Sequence, residues 1–275
     1  MPELPEVETL KLSLQKNLIG KAIEEVEIRR PKLRYPLPLH LRSSVISASV
    51  IGLIRRAKYL IITLSNGNSL IIHLGMSGRL TYQESVCIYA PKKHDHVIFS
   101  MRGGYLIFND TRRFGMIDIV PTSDINNHKI FARLGPEPLS DEFDTKYLQN
   151  QINRRKTAIK TALMNNYILV GVGNIYASES LFLSNIHPNR SCDSLSEFET
   201  KNLTNAIKKV LLNAIKAGGT TLKDFLNGDN QPGYFKQKLV VYGRAGQICN
   251  NCGSIIIKLK QSGRASFYCP NCQTL

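Results

Sequence analysis

The chain has 275 residues, is 43% hydrophobic, and carries a formal net charge of +15 with a pI of about 9.6. This length allows one large or two moderate domains with a packed core, and no apolar run is long enough to span a bilayer. The charge indicates a polyanionic partner, with nucleic acid favoured over a membrane surface. Two stretches without acidic residues, 29–58 with eight Lys/Arg and 235–275 with six, indicate a shared basic footprint.

The first residues predict a helix with an unusual beginning. Pro5 fits its first position, and Val7, Leu10, Leu14 and Leu18 recur at helical spacing before Gly20. We expect Met1 to be removed, which would leave Pro2 with a secondary amine that can attack a carbonyl-like or glycosidic carbon. Glu3, Glu6 and Glu8 follow closely. From these residues alone, a capped helix without a catalytic role is the simpler interpretation.

Residues 23–120 predict a β domain, a sandwich or barrel of short strands separated by turns such as Ser65-Asn66-Gly67-Asn68 and Arg102-Gly103-Gly104. The expected strands are Ala22–Arg29, Val45–Leu53, Tyr59–Leu64, Ser69–Leu74, Val97–Ser100, Tyr105–Asn109 and Met116–Val120. A basic loop with several prolines, Pro31–Pro38, is expected between the first two.

Helices are predicted further along, after a break at Leu134-Gly135-Pro136-Glu137-Pro138. They cover Lys156–Asn166, Asn174–Asn185 and Glu197–Ala217. Ser196 and Glu199 form a capping box for the last, and Gly218-Gly219 ends it. The polar segment Thr220–Phe235 predicts a mobile loop.

The strongest local motif is two Cys-x-x-Cys pairs, Cys249/Cys252 and Cys269/Cys272, 16 residues apart. This spacing predicts four thiolates around one Zn²⁺. A site with four protein ligands has no open position, so the zinc should be structural. The intervening residues predict a hairpin, Ser254–Lys260 and Arg264–Tyr268 around the turn Gln261-Ser262-Gly263, that presents Arg264 near its tip.

Two further groups of residues leave alternatives open. Gly171-Val172-Gly173-Asn174 precedes a predicted helix and fits either a phosphate-binding turn or a tight connection between helices; Lys160 and the basic background favour phosphate. Met76, Arg112 and Phe114, each at a strand end, can form a wedge between stacked bases, or the two apolar residues can belong to the core.

Two lysine-containing segments are ambiguous as well. Lys58 in Arg55-Arg56-Ala57-Lys58-Tyr59 can contact phosphate, act as a general acid if cationic neighbours lower its pKa, or simply be exposed. The cluster Lys92-Lys93-His94-Asp95-His96 has metal-like composition but no matched partner, and we interpret it as an orienting hydrogen-bond network.

Taken together, the motifs Met1–Thr9, Asn109–Gly115, Gly171–Ala177 and the four cysteines occur in an order that resembles the formamidopyrimidine-DNA glycosylases over nearly the whole chain. The resemblance implies an α+β protein: an N-terminal β-sandwich with a leading helix, a helix–two-turn–helix domain, and a zinc-finger hairpin. The expected boundaries are 1–125, a linker at 126–140, 141–235 with a loop that closes over the lesion, and 236–275.

The resemblance also implies an activity. Oxidised purines, chiefly 8-oxoguanine and formamidopyrimidines, would be excised from duplex DNA by a bifunctional glycosylase and AP lyase that acts by β,δ-elimination. The implied cofactor is one structural Zn²⁺, with no metal or nucleotide at the reactive centre. The implied enzyme is a cytoplasmic bacterial monomer, associated with the nucleoid through DNA and not with a membrane.

Residue roles follow from the matching motifs. The catalytic group is implied to contain the nucleophile Pro2, its acid/base partner Glu3, the proton donor Lys58, and Arg264, which also matches a phosphate contact. The implied DNA-binding residues include phosphate contacts, base-gap residues and the lesion loop: His94, Arg112, Met76, Phe114, Lys160, Asn174, Lys223 and Tyr242.

Two departures from the family pattern concern Asn165-Asn166, which puts a buried acidic contact in doubt, and Tyr167, where a smaller or basic residue is usual. Two alternatives also stay open. An endonuclease VIII-like enzyme for oxidised pyrimidines is disfavoured by Leu4 and by Arg112-Arg113-Phe114, and a non-catalytic DNA-binding protein would not form a covalent adduct with damaged DNA.

Overall fold

The computed structural model describes residues 2–85, 87–220 and 235–275, which form two compact units. The first unit comprises Met1–Ala132 and Ala217–Tyr234, and the second Arg133–Lys216 and Phe235–Leu275. The predicted loop Thr220–Phe235 and Lys223 within it lie largely outside the described residues, so that prediction stays a prediction. The domain boundaries expected from the sequence also remain a prediction.

The first unit is a β-sandwich with a leading helix. Its elements are α1 (Leu4–Leu18), β1 (Ile23–Ile28), α2 (Leu41–Val45), β2 (Val50–Arg56), β3 (Tyr59–Leu64), β4 (Asn68–His73), β5 (Gly78–Glu84), β6 (Asp95–Met101), β7 (Gly104–Asp110) and β8 (Met116–Pro121). The strands form two antiparallel four-stranded sheets, in the orders β1-β6-β7-β5 and β2-β3-β4-β8. The predicted sandwich is therefore confirmed.

A single apolar core lies between the sheets and under α1. The predicted helical stripe is confirmed, because Val7, Leu10, Leu14 and Leu18 are all buried in it. The helix begins at Leu4, so Pro5 occupies its second position and not its first. Burying a Leu or Val side chain contributes about 1.5–3 kcal/mol, so the stripe fixes the beginning of α1 against the sandwich.

One strand prediction in this unit needs correction, and two elements were not predicted. The expected strand Val45–Leu53 is wrong at its start, since α2 ends at Val45, Ser47 adopts a left-handed φ of 64°, and β2 begins only at Val50. Strand β5 was not predicted, although Leu80 and Tyr82 alternate toward the core as strand residues do. Helix α2 was not predicted either, because five residues give too short a pattern.

The second unit is helical and ends in the Cys-rich hairpin. Its elements are α3 (Thr145–Ile152), α4 (Ile159–Leu163), α5 (Asn174–Leu183), α6 (Glu197–Lys216), β9 (Ile257–Gln261) and β10 (Arg264–Tyr268). The capping box at α6 is confirmed: Ser196 N donates to Glu199 Oε2 at 2.9 Å, and Glu199 N donates to Ser196 Oγ at 3.2 Å. Helix α3 was missed, although Asp144 caps it by accepting from Tyr147 N at 2.6 Å.

Several boundaries in this unit also differ from prediction: the first hairpin strand begins at Ile257 and not at Ser254, and the helix that begins at Asn174 ends at Leu183 and not at Asn185. The expected helix Lys156–Asn166 is limited to Ile159–Leu163, because Ala158 pairs with Ser191 as an extended bridge and Ile159 N donates to Arg190 O. In the hairpin, Gln261 belongs to β9 and pairs with Arg264, so the turn is Ser262-Gly263. Both turn residues have positive φ, 48° and 76°, as two-residue hairpin turns require.

Candidate active site and DNA-binding residues

The beginning of α1 holds the predicted nucleophile beside two buried carboxylates. Pro2 is buried, and Glu3 and Glu6 are only 3% and 2% exposed. Glu3 N donates to Glu6 Oε2 at 2.8 Å, and the Glu3 side chain accepts from the backbone of Glu6, which makes a reciprocal capping box. The cap thus fixes the backbone one residue after Pro2.

The second oxygen of Glu6 binds a segment distant in sequence. Thr220 N donates to Glu6 Oε1 at 2.7 Å. Gly219 precedes it with φ +79°, and a Cβ there would lie 3.3 Å from the same carboxylate oxygen. The left-handed backbone favours glycine at this position, and a Cβ would crowd Glu6. One carboxylate therefore connects α1 to the residues that immediately precede the segment 221–234.

Lys58 lies in the tight turn between β2 and β3. Arg56 pairs with Tyr59, so Ala57-Lys58 is a two-residue connection in which Ala57 has φ 54°. Arg55 Nη1 donates to Ala57 O at 3.0 Å, and Arg55 Nε donates to Glu8 Oε2 at 2.7 Å. A salt-bridged arginine therefore links the Lys58 turn to α1, the helix that begins next to Pro2.

His73 lies close to the positive charge of this region. Burial, and then the charges of Lys58 and Arg34, lower the pKa of His73 to about 4. Gly75 N donates to His73 Nδ1 at 3.0 Å, which requires the neutral ring at that nitrogen. His73 also packs against Tyr59, with ring centroids 4.7 Å apart. His73 has no local sequence pattern that distinguishes it from any other histidine at a strand end, so its role could not be predicted.

The wedge, which we define as Met76, Arg112 and Phe114, lies on two loops at strand ends. Met76 is 40% and Phe114 is 44% exposed, so neither belongs to the core. The Arg112 guanidinium lies 4.8 Å from the centroid of the Phe114 ring, within cation–π range. Two large apolar side chains and a cation are therefore presented to solvent together.

The segment around His94 is organised by a buried aspartate. Asp95 Oδ2 accepts from Lys92 N at 2.7 Å and from Tyr89 Oη at 2.8 Å, while Asp95 Oδ1 accepts from the Asn109 amide at 2.7 Å. Burial and the bond to Asp95 raise the pKa of Tyr89 to about 12. The interpretation as a hydrogen-bond network is confirmed for Asp95, and His94 is half-buried beside it.

In the second unit, Lys160, Asn174 and the hairpin meet at one small cavity. Lys160 is 2% exposed, and its Nζ donates to Asn174 Oδ1 at 2.7 Å, Ser266 Oγ at 2.7 Å and Ala265 O at 3.2 Å. Asn174 Nδ2 donates to Ala265 O at 2.9 Å and approaches Tyr242 Oη at 3.5 Å. The cavity, about 60 Å³, is lined by Lys160, Asn174, Arg264 and neighbouring residues.

Asn174 begins α5, so the glycine-rich turn does lead into a helix N-terminus, where backbone N–H groups favour anions. Arg264 is exposed at the first position of β10. The cavity thus brings together an exposed guanidinium group and a helix N-terminus, two features that favour an anion such as phosphate. The Lys160 ammonium group directs its hydrogen bonds to Asn174, Ala265 and Ser266 and fixes the position of Asn174.

Glu179, which was not predicted from the sequence, holds the backbone of residues 240–242. It is 3% exposed on α5, and its two oxygens accept from Val240 N at 2.9 Å, Val241 N at 3.0 Å and Tyr242 N at 2.8 Å. Burial raises the pKa of Glu179 against the opposing effect of these donors. A signal did exist, since Glu179 is the one acid in the otherwise non-acidic helix Asn174–Leu183.

Asn165, the departure noted in the sequence, caps a local turn without a charge. Its Oδ1 accepts from Tyr167 N at 3.0 Å, and its carbonyl accepts from Ile168 N and Leu169 N. Tyr167 is 64% exposed. An amide therefore performs the backbone capping that an aspartate would perform here.

The four predicted cysteines converge. Cys249, Cys252, Cys269 and Cys272 place their sulfur atoms within 4.8 Å of one another, the only such metal-binding group among the described residues. Cys252 and Cys269 Sγ are 3.3 Å apart, and Cys249 and Cys272 Sγ are 4.0 Å apart. A tetrahedral centre with Zn–S bonds of about 2.3 Å has sulfur–sulfur edges of roughly 3.8 Å, so the cluster fits one zinc ion.

Fold and site together define a class of protein that combines a β-sandwich with two buried carboxylates at the start of its leading helix, a helical unit and a four-cysteine zinc finger. Family comparisons agree. The model for the formamidopyrimidine-DNA glycosylase N-terminal domain matches residues 1–117, that for the H2TH domain of the same enzymes matches residues 134–226, and that for the zinc finger found in FPG and IleRS matches residues 246–275.

Relatives and solved structures lead to the same family. The formamidopyrimidine-DNA glycosylases of Rickettsia bellii (strain OSU 85-389) and Rickettsia canadensis (strain McKiel) are 56% and 53% identical over 274 residues, 99% of each chain. The Lactococcus lactis Fpg, solved in complex with DNA that contains an abasic site, has a TM-score of 0.92 at 32% identity, over 99% of this chain and 100% of its own. The MutM (FPG) protein of Thermus thermophilus has a TM-score of 0.89 at 34% identity, over 99% of this chain and 98% of its own.

The chain belongs to the formamidopyrimidine-DNA glycosylase family. It is a DNA glycosylase with AP lyase activity, and its C-terminal finger holds one structural zinc ion. Within the three described ranges, no helix combines the length and apolar character needed to cross a membrane.

Proposed function

We propose that the enzyme excises 8-oxoguanine and formamidopyrimidines from duplex DNA and then cleaves the strand, with Pro2 as the covalent nucleophile. The observation that carries this proposal is the beginning of α1, where Pro2 is buried next to the capping box of Glu3 and Glu6. After removal of Met1, the Pro2 nitrogen is a secondary amine, and an α-amino group titrates near ~8, so a neutral fraction exists at pH 7.

The proposed reaction has three stages: base release, iminium formation and two successive eliminations. The Pro2 nitrogen bonds to C1′ of the damaged nucleotide as the glycosidic bond breaks, and the base leaves with the bonding electron pair and takes up a proton. The sugar C1′–O4′ bond then opens, O4′ is protonated, and the nitrogen loses its proton to give an iminium. The iminium acidifies the adjacent C2′–H, so proton removal there expels the 3′ phosphate. A second elimination then expels the 5′ phosphate.

Glu3 and Lys58 are proposed to move protons in these steps. Glu3 follows Pro2 directly in the chain, and the Lys58 turn is held to α1 by Arg55 and Glu8. Glu6 is assigned a different role, because one of its oxygens accepts from Glu3 N and the other from Thr220 N. One oxygen of Glu6 therefore supports the backbone next to Pro2, and the other holds the backbone at Thr220.

DNA binding is proposed to use two kinds of contact. The wedge fills the space left by the extruded nucleotide, an extrusion that costs a few kcal/mol of stacking and pairing, and His94 contacts the backbone nearby. Phosphate groups bind at Asn174, Tyr242 and Arg264, and we retain Lys223 as a proposed lesion-loop contact. Lys160 acts indirectly, because its ammonium group is buried against Asn174, Ala265 and Ser266.

We further propose that the enzyme acts as a monomer in the bacterial cytoplasm and associates with the nucleoid through DNA. The net charge of +15 supports the association with the nucleoid, because electrostatic contacts with phosphates supply most of non-specific DNA affinity. The affinity should therefore fall steeply with salt.

Borohydride trapping tests the central proposal. The mature protein is mixed with a labelled duplex that contains 8-oxoguanine opposite cytosine, and the iminium is reduced to a stable adduct that migrates slowly on a denaturing gel. Pro2→Gly, which replaces the secondary amine by a primary one, should reduce trapping roughly tenfold or more. Pro121→Gly, at the exposed end of β8, is the matched control. Mass spectrometry of the digested wild-type adduct should find the DNA remnant on the peptide that begins with Pro2, and an adduct on any other peptide would refute Pro2 as the nucleophile.

A lesion panel tests the substrate assignment. A Lactococcus lactis relative was solved with DNA that contains an oxidised pyrimidine, so oxidised pyrimidines form the second candidate substrate class here. Single-turnover excision rates on 8-oxoguanine, formamidopyrimidine and 5-hydroxycytosine duplexes should favour the two purines. A faster rate on the pyrimidine would reverse the order.

A further inference from the structure

One buried carboxylate lies beneath both loops of the wedge. Asp110, the last residue of β7, has no exposed surface. Its Oδ1 accepts from Ser77 Oγ at 2.6 Å and from Arg112 N at 3.2 Å, and its Oδ2 accepts from Gly115 N at 2.8 Å. The three donors come from both loops: Ser77 follows Met76, Arg112 is itself a wedge residue, and Gly115 follows Phe114.

Ser77 joins the two loops directly. Its hydroxyl donates to Asp110 and at the same time accepts from Arg112 N at 3.1 Å. The backbones are also in close contact, since a Cβ on Gly75 would lie 2.4 Å from the carbonyl carbon of Phe114. Gly75 has φ +63°, so both the space and the conformation require glycine there. The loops therefore form one hydrogen-bonded body below the exposed Met76 and Phe114 side chains.

The arrangement has a mechanical consequence. A wedge stabilises an extruded nucleotide only if it resists the pressure of bases that tend to restack, and isolated loop tips are ordinarily the mobile parts of a fold. Hydrogen bonds to a buried charged acceptor are about twice as strong as neutral ones. Three of them on one carboxylate restrain the backbone while leaving the wedge side chains exposed.

We propose that Asp110 is a positioning residue that holds the Met76 and Phe114 loops together as a single rigid wedge. The proposal rests on the proposed function of the wedge residues. Asp110 does not touch the reacting atoms, so its effect depends on the substrate: it matters where a paired base must be kept out of a duplex, and it does not matter where there is no stack to hold open.

Two substrates separate these cases. For each variant, single-turnover rates are measured on an 8-oxoguanine:cytosine duplex and on a single-stranded oligonucleotide with a preformed abasic site. Asp110→Asn leaves the shape unchanged but turns an amide N–H₂ toward one of the donors. It should slow duplex excision at least about tenfold and leave single-strand cleavage within roughly twofold of wild type. Asp118→Asn, on β8, is the matched control and should leave both rates unchanged.

Ser77→Ala keeps the test valid if Asp110→Asn does not fold. This variant removes only the hydroxyl that bridges the loops, and the same duplex-specific slowing is expected at about threefold or more. A second readout is 2-aminopurine placed opposite an abasic analogue in a duplex: its fluorescence on binding reports the unstacked orphan base, and it should fall in both variants.

The outcomes are distinct. Equal slowing on both substrates by folded Asp110→Asn, or no slowing by either variant, would overturn the positioning role. The double variant Met76→Ala/Phe114→Ala tests the wedge itself. If it shows no duplex-specific loss, the proposed wedge function fails; if it shows that loss while Asp110→Asn and Ser77→Ala do not, only the role of Asp110 fails.

Discussion

Replacing His73 by glutamine should remove a defined part of the acid sensitivity of the fold. His73 is neutral in the folded protein, because burial and the charges of Lys58 and Arg34 lower its pKa to about 4 from an ordinary value near 6.5. Between these two pH values the unfolded chain binds a proton that the folded chain does not. The free energy of unfolding therefore rises with pH in this window and is fully developed above about pH 6.5.

The magnitude follows from the width of the window. Each pH unit over which only the unfolded chain is protonated changes the free energy of unfolding by about 1.4 kcal/mol. Over about 2.5 units the wild type should lose about 3 kcal/mol on acidification because of His73 alone. Part of this loss of stability has a structural cause that can be named: protonation of His73 Nδ1 would remove the acceptor for Gly75 N.

Urea unfolding at pH 7, 6, 5 and 4 measures this contribution as a difference between wild type and His73→Gln, which cancels the titration of all other groups. The difference should shrink steadily toward pH 4. His40→Gln, at an exposed position, controls for the loss of a histidine. A wild-type-minus-variant difference that stays constant from pH 7 to pH 4 would refute the assigned charge state of His73.

Three more predictions concern the supports of the site. Glu8→Gln should reduce borohydride trapping severalfold with little loss of stability, because it weakens the bond that holds Arg55, and hence the Lys58 turn, to α1; Glu24→Gln, exposed on β1, should trap normally. Cys272→Ala should abolish stoichiometric zinc measured by elemental analysis and unfold the hairpin, since a structural zinc supplies on the order of 10 kcal/mol; full zinc content would contradict the four-cysteine site. Glu179→Gln should lower the free energy of unfolding by about 1–3 kcal/mol in urea titrations, because an amide cannot accept from all three backbone donors.

Local patterns predicted those features that local forces determine. The stripe of α1 could be predicted because its residues repeat at helical spacing, and the capping box of α6 because Ser196 and Glu199 lie three residues apart. The zinc cluster followed from two short spacings. In each case the interacting residues are close in sequence, so their spacing is enough to predict how they are arranged.

The residues that escaped prediction have distant partners. Asp110 binds Ser77, 33 residues away, and Glu179 binds Tyr242, 63 residues away. Neither pairing has a local signature. The strand prediction at Val45 failed for a related reason: β-branched residues suggested a strand, but Ser47 N donates to Ile23 O, and this tertiary bond with the left-handed Ser47 ends α2 before β2 can begin. The one sequence feature that does mark such residues is an acidic residue in an otherwise apolar or turn-forming segment.

Three of these buried acids each hold a different segment of backbone. Glu6 uses one oxygen for Glu3 N and the other for Thr220 N, Asp110 binds donors from both wedge loops, and Glu179 binds three consecutive amides that end at Tyr242. A strongly basic chain would be expected to use its acids sparingly where it binds DNA, since each exposed carboxylate repels phosphate. A buried carboxylate avoids this repulsion. Because it accepts backbone N–H bonds below the surface, it also fixes the position of the residues that carry exposed side chains. In this protein the buried acids therefore fix the backbone that carries exposed cations and apolar side chains, and these exposed side chains are the ones that we propose to contact the DNA.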